Sequence, residues 1–370
     1  MEKIINLGIP HVGEQIFESL ETEELFQCSL VSQTWKVLAE NVLIKRWKGR
    51  IFWACESGDT KVVQLLLEHC SECCIRGCTG LHIRALDGST ALMMAIYGGH
   101  TEVVQMLLDR SDQNIEVNAR DDVGLTAFIW AAEKGHKDIV KLLLDHSDPK
   151  IELHAKDDSG LTGFLYAADN GHTDVVKLLL DYSDRTIDFN AKDNQGWTGF
   201  MGACQEGHND VVQSILDHSD DRNIDLNART PDGWTGFMIA CQYGHKDVVQ
   251  SILDHSNKNI DLNARCNAEM TAFMYACENG HKDVVKLLLD HSDPSIELNA
   301  KDNIDNCTAF MWACRKGKKD VVQLFLDRSD PNIDLKAKDN EGWTALIWAC
   351  YEGQKDVIKL LLDHSDKNID

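Results

Sequence analysis

No apolar run in this chain reaches the roughly 20 residues that a helix needs to span a bilayer, so a membrane-spanning role is not expected. The opening stretch, MEKIINLGIP, lacks the basic, apolar and small-residue succession of a secretory signal. Basic side chains are scarce: 37 Lys and Arg stand against 60 Asp and Glu, a formal net charge of −23. A surface that acidic repels phosphate backbones and anionic headgroups, which excludes nucleic acid and membrane surfaces as expected partners. Also missing are a glycine-rich phosphate loop and a carboxylate pair that stands out from its surroundings. Catalysis by the chain itself is therefore not expected, and no cofactor is implied. What is present is core-forming material, 43% hydrophobic residues over 370 positions. Thirteen cysteines without a signal point to a reducing compartment, the cytosol or the nucleus.

The dominant feature is a period. GWTGFM occurs at Gly196–Met201 and again at Gly233–Met238, with a looser copy, GWTALI, at Gly342–Ile347. The threonine of this phrase recurs at Thr90, Thr126, Thr162, Thr198, Thr235, Thr271, Thr308 and Thr344, always 36 or 37 residues apart. A Gly-His pair follows most of them, then an apolar segment such as KDVVKLLLD at Lys282–Asp290. A period of this length means stacked structural units. Each unit is expected to hold two short antiparallel helices. The threonine hydroxyl caps the first, the glycine ends it, and Val-Val and Leu-Leu-Leu groups give the second an apolar stripe. The linking stretches, as in IDFNAKDNQG, alternate apolar and polar residues and end in Asn, Asp and Gly, which predicts a short β-hairpin finger. One unit cannot bury its stripe alone, so neighbours must cover it.

These residues resemble the ankyrin repeat family. Thr126, Ala131-Ala132, Gly135-His136 and Leu142–Leu144 fit the family pattern of a Thr-led start, an Ala pair, Gly-His and a Leu-rich second helix. The resemblance runs from Ile51 to Asp370, about nine repeats of which the first is irregular. It departs where the family's Pro is Ala127, Gly163 or Gly199, and where its His is Ile129, Leu165 or Met201. The period is also a few residues longer than usual, with the extra residues after helix two, as in His146–Leu153. The resemblance implies an all-α solenoid with short β-hairpin fingers and a concave face that binds another protein.

The repeat does not reach before about Ile51, which sets apart residues 1–50. There Ile9, Pro10, Ile16, Phe17, Leu20, Leu25, Leu30, Val31 and Trp35 recur at spacings that predict three short helices, too few residues for a self-sufficient core. In order, Ile9-Pro10, Ile16-Phe17, Leu20, Glu24-Leu25, Leu30-Val31 and Trp35 resemble an F-box. That resemblance implies that these side chains bind a Skp-type adaptor of a cullin ubiquitin ligase. The alternative is an N-terminal cap on the first repeat, leaving a plain ankyrin scaffold or inhibitor.

Within the array, packing positions stay constant and outward-facing ones diversify. The residue before each threonine is Leu125, Leu161, Trp197, Trp234, Met270, Cys307 or Trp343, and is expected at a finger tip. Seven and eight residues after the threonine come pairs such as Gln205-Glu206 and Gln242-Tyr243. Trp197, Trp234, Tyr243 and Met270, with Trp343, Gln205 and Gln242, are the candidate partner-binding residues, because exposed aromatics make good anchors; packing between fingers is the competing explanation. Four residues after the threonine, Met94, Trp130, Tyr166, Gly202, Ile239, Tyr275, Trp312 and Trp348 are expected to pack between first helices. Glu269 replaces the usual turn glycine, which predicts a locally different turn at Cys266–Met270.

Cys70, Cys73, Cys78 and His82 have the letters and rough spacing of a zinc knuckle. The reading preferred is a surface loop in which cysteines accumulated, with no metal. Cys55, Cys204, Cys241, Cys277, Cys314 and Cys350 occupy the second slot of the Ala pair and are expected in the core. DHSD, at Asp145–Asp148 and Asp363–Asp366, contains the letters of a hydrolase triad, but adjacent residues on a helix do not face one another, and the motif recurs per unit. The last second helix, Val357–Leu362, is as apolar as the internal ones. Either that edge meets a partner or another copy, or the chain is shorter than its ancestor.

Overall fold

The computed structural model describes residues 50–73, 84–109, 116–146, 151–182, 187–255, 259–291, 296–328 and 332–364, with side chains from 68 to 73 left aside. The residues proposed for adaptor binding, from Ile9 to Trp35, lie outside this set, as do Cys78, His82 and the side chains of Cys70 and Cys73. The chain divides into two compact units between Asp158 and Ser159.

In the first unit a helical segment over 50–57 (α1) is followed by α2 (Thr60–Cys73), α3 (Ala91–Tyr97), α4 (Thr101–Leu108), α5 (Ala127–Glu133) and α6 (Lys137–Asp145). The second unit holds six helix pairs. They are α7 (Gly163–Asp169) with α8 (Thr173–Asp181), α9 (Gly199–Glu206) with α10 (Asn209–Arg222), and α11 (Gly236–Tyr243) with α12 (Lys246–Asp254). There follow α13 (Ala272–Asn279) with α14 (Lys282–Asp290), α15 (Ala309–Arg315) with α16 (Lys319–Arg328), and α17 (Ala345–Tyr351) with α18 (Lys355–Asp363). Within this unit first helices pack on first helices and second on second, the pattern of an all-α solenoid. No described helix is long and apolar enough to cross a membrane.

The threonines cap as the period predicts. Thr162 Oγ1 accepts from Leu165 N at 3.3 Å, and Thr235 Oγ1 from Met238 N at 3.4 Å. Thr344 is the exception, with no side-chain cap bond. The second helices bury the predicted stripe: in α12, Val248, Val249, Ile252 and Leu253 are all buried. Each such side chain contributes about 2 kcal/mol of transfer free energy. Several first helices end on a left-handed glycine, for instance Gly207 at φ 75°. A Cβ there would come within 2.5 Å of the His245 ring, so backbone conformation and the neighbouring repeat both demand glycine.

Three expectations need correction. Among the described residues none lies in a β-strand: each finger is a tight turn closed by one backbone pair, such as Asp193 N to Trp197 O at 3.0 Å. One closing pair is too short for a ladder, and fingers join their neighbours by single bonds, as from Asn267 N to Asp232 O at 2.9 Å. The turn at Cys266–Met270 is the ordinary one. Glu269 takes a left-handed φ of 56° and makes the same bonds, Cys266 N to Met270 O and Glu269 N to Cys266 O, that the glycine-bearing fingers make. Finally, the extra residues of the long period do not always fall after helix two. In α10 they continue the helix to Arg222, where Asn223 ends it at φ 52°.

Candidate functional site

Fingers that begin with Asp121, Asp193, Thr230, Asp302 or Asp339 are organised by that residue's side chain. Asp193 Oδ1 accepts from Gln195 N and Trp197 N, both at 2.8 Å. The same bond fixes the backbone of the residue before the threonine at Leu125, Trp197, Trp234 and Trp343. Leu125, Met270 and Cys307 are buried, and Met270 at 4% exposure is unavailable as an anchor without rearrangement. Trp197, Trp234 and Trp343 are half-buried. Trp234 packs on Tyr275, ring centroids 4.2 Å apart, and Trp343 packs on Trp348 and Tyr351 at 4.9 and 5.3 Å. Packing between fingers and first helices thus accounts for Met270, and for one side of Trp234 and Trp343.

The rest of the predicted cluster does converge. Two clefts adjoin in the second unit. One, of about 240 Å³, is bordered by Asp169, Asp193, Trp197, Gly202 and Gln205. The other, of about 450 Å³, is bordered by Trp197, Pro231, Trp234, Gln242 and Tyr243. Trp197 and Gln195 belong to both. Tyr243 is 50% exposed and stacks near-parallel to the His245 ring at 6.3 Å. Five of the seven candidate residues, Trp197, Gln205, Trp234, Gln242 and Tyr243, therefore border one continuous pair of clefts; Met270 and Trp343 do not.

Asp169 is exposed as a residue, but its carboxyl points at the cleft floor. A Cβ on Gly202 would lie 2.7 Å from Asp169 Oδ1. Partial burial raises the Asp169 pKa, the Glu206 and Asp193 charges raise it further, and His208 opposes them. Its backbone carbonyl accepts from His208 Nε2 at 2.9 Å. The Gly-His histidines are scaffold in the same way, as in His245 Nε2 to Gln205 O and His281 Nε2 to Gln242 O, both at 2.7 Å.

The column four residues after the threonine does more than pack. The indole Nε1 of Trp130, Trp312 and Trp348 donates to Oδ2 of Asp121, Asp302 and Asp339, at 3.0, 2.8 and 2.9 Å. These tryptophans lock the first helix to its own finger. Gly202 leaves that place open.

Repeated helix pairs, capping threonines and turn fingers are matched by the family model for ankyrin repeats (3 copies), which covers residues 51–157, 149–230, 200–302 and 295–370. The chain belongs to the ankyrin repeat family. The family model for the F-box domain matches residues 10–47, ahead of the array. No curated protein matches the chain significantly. An ankyrin array joined to an F-box is a protein-interaction adaptor, since both are typically non-catalytic interaction domains.

The remaining candidates of this ankyrin protein separate cleanly. Cys55, Cys204, Cys241, Cys277 and Cys314 are buried at the Ala-pair slot, as expected. Cys350 is exposed, because no described repeat follows α17 to cover it. Burial raises the buried thiols' pKa values, to about 12 at Cys55. Among the described residues no cluster of His, Cys, Asp or Glu could hold a metal ion, and the Cys70–His82 segment falls outside that search. The signal that reading by composition missed was Gly202, the one small residue in a column of large ones.

Proposed function

We propose that this chain is the substrate-recognition subunit of a Skp/cullin/F-box ubiquitin ligase. Residues 1–50 hold the Skp-type adaptor through Ile9, Pro10, Ile16, Phe17, Leu20, Leu25, Leu30, Val31 and Trp35. Residues 51–370 hold the protein to be ubiquitinated, on the array's concave face and through the cleft pair around Trp197 and Trp234. The observation that carries this reading is the F-box match at 10–47 directly before the repeats. The chain performs no bond chemistry on this account. It raises the effective concentration of the bound protein at the ligase, which tethering does without any new contact. It works in the cytosol or nucleus, with neither nucleic acid nor membrane as a partner.

The test is co-purification of the full chain with a Skp-type adaptor. Intact protein is expected to capture it, and Leu25→Asp with Trp35→Ala to abolish capture while the array's melting temperature stays put. If intact protein captures no adaptor, the N-terminal segment is a cap and the chain a plain scaffold.

A further inference from the structure

In three repeats an indole N–H satisfies the outer oxygen of the finger aspartate: Trp130 on Asp121, Trp312 on Asp302 and Trp348 on Asp339. The corresponding aspartate in the Trp197 finger is Asp193, and the residue that should supply the indole is Gly202. Asp193 Oδ1 is held by Gln195 N and Trp197 N, while Oδ2 has no hydrogen-bond donor among the described residues. The missing side chain leaves the cleft of about 240 Å³ between Trp197, Asp193, Gln205 and Asp169. Two carboxylates and an aromatic face therefore border a space that Trp130, Trp312 and Trp348 fill with a donor in their own repeats.

We propose that this cleft is a socket for an arginine side chain of the bound protein, its guanidinium donating to Asp193 and Asp169 against the Trp197 indole. The proposal rests on the second unit being the face that carries the ligase substrate, and it narrows that substrate to proteins presenting an exposed basic segment. A guanidinium fits where an ammonium does not, because it is planar, stacks on aromatic faces and offers forked donors to carboxylates. The chain's net charge of −23 favours a basic partner. Elsewhere in the protein, from other positions of the repeat, an arginine is already held by carboxylates over an aromatic face. The Arg315 guanidinium lies 3.9 Å from the Trp348 ring centroid and 5.1 Å from that of Trp312. It donates to Asp305 Oδ2 at 2.7 Å and to Glu352 Oε1 at 3.2 Å. Arg315 stands seven residues after its capping threonine, as Gln205 does after Thr198, so at the Gly202 cleft the arginine has to come from outside. The adjoining cleft at Trp234 and Tyr243 receives the residues that flank it.

The test is selection of a displayed random dodecapeptide library on the full-length protein, then calorimetry with the enriched peptide and its arginine-to-citrulline counterpart. Every enriched family is expected to contain an arginine, and citrulline to weaken binding at least about tenfold. Asp169→Asn with Asp193→Asn, which keeps shape and the finger's acceptor, is expected to weaken the arginine peptide to the same extent at unchanged melting temperature. Gly202→Trp, which introduces the indole that Trp130, Trp312 and Trp348 supply in their repeats, is expected to abolish binding. Enriched peptides without arginine, tolerance of citrulline, an empty selection, or self-association of the chain that Gly202→Trp abolishes would each overturn the proposal. Adaptor capture by the Gly202→Trp protein keeps the two readings apart. If wild type captures no adaptor yet binds the arginine peptide, only the ligase assignment falls.

Discussion

Glu269 holds a left-handed φ of 56° at the finger position that Gly124, Gly160, Gly196, Gly233 and Gly342 occupy elsewhere. An L-residue with a Cβ is strained there by about 1–2 kcal/mol, which glycine's extra unfolded-state entropy offsets only in part. Its contact with Arg265, 3.5 Å away and exposed, contributes little. Glu269→Gly is therefore expected to stabilise the protein by roughly 0.5–1 kcal/mol, read as a higher denaturant midpoint. A lower midpoint would mean that the finger relies on the carboxylate. The thiols give a second prediction. Burial raises Cys55 and Cys307 to about 12, and raises Cys204, Cys241, Cys277 and Cys314 as well. An unfolded thiol ionises near pH ~8.5, so between that pH and about 12 the native state binds more protons than the unfolded one. Stability is whole below the lower value and falls as pH rises through the window. Peptide mapping after alkylation at mild alkaline pH should find Cys350 modified, and the five buried Ala-pair cysteines protected until unfolding.

Helices and their boundaries were legible because they rest on local rules. A threonine caps, a glycine turns left-handed, and Val-Val and Leu-Leu groups repeat at helical spacing; every one of these signals recurs. The fingers were legible as turns but not as non-strands, since alternation of apolar and polar residues looks the same whether or not a ladder forms. The cleft was half legible. Trp197, Trp234, Gln205, Gln242 and Tyr243 could be aligned from the period, but the bend that Asp193 imposes on the following residues could not. Nor could the burial of Met270, whose finger begins with Cys266 and closes through backbone bonds, and that burial removes it from the set. Contacts between neighbouring repeats carry the stability these local signals cannot supply. His245 is the clearest, its Nε2 bonded at 2.7 Å to Gln205 O and its ring filling the space over Gly207. His245→Ala leaves a carbonyl unsatisfied and a void, and is expected to cost about 1–3 kcal/mol by denaturant titration. Gly207→Ala should be no milder, because the added Cβ meets the ring and φ stays positive.

For the chain as a whole, charge is the property that no single repeat reveals. Sixty acidic side chains against 37 basic ones give the chain a field of one sign, and the cleft pair adds Asp169, Asp193 and Asp232 at its border. A basic segment approaching such a surface is steered in, and screening weakens that attraction as the Debye length shrinks from about 10 Å at 0.1 M salt to about 3 Å at 1 M. Two contributions to arginine binding should then separate. The approach rate is set by the whole field and is expected to fall several-fold between low and high salt, while dissociation is set by the socket and should change far less. Asp169→Asn with Asp193→Asn alters only two of the sixty acidic charges, so it should raise dissociation and leave the salt dependence of association nearly as steep. Surface plasmon resonance with the selected arginine peptide, run across a salt series on both proteins, reads the two rates separately. An association rate insensitive to salt would show that the net charge has no part in recognition, and that the cleft selects its partner by shape alone.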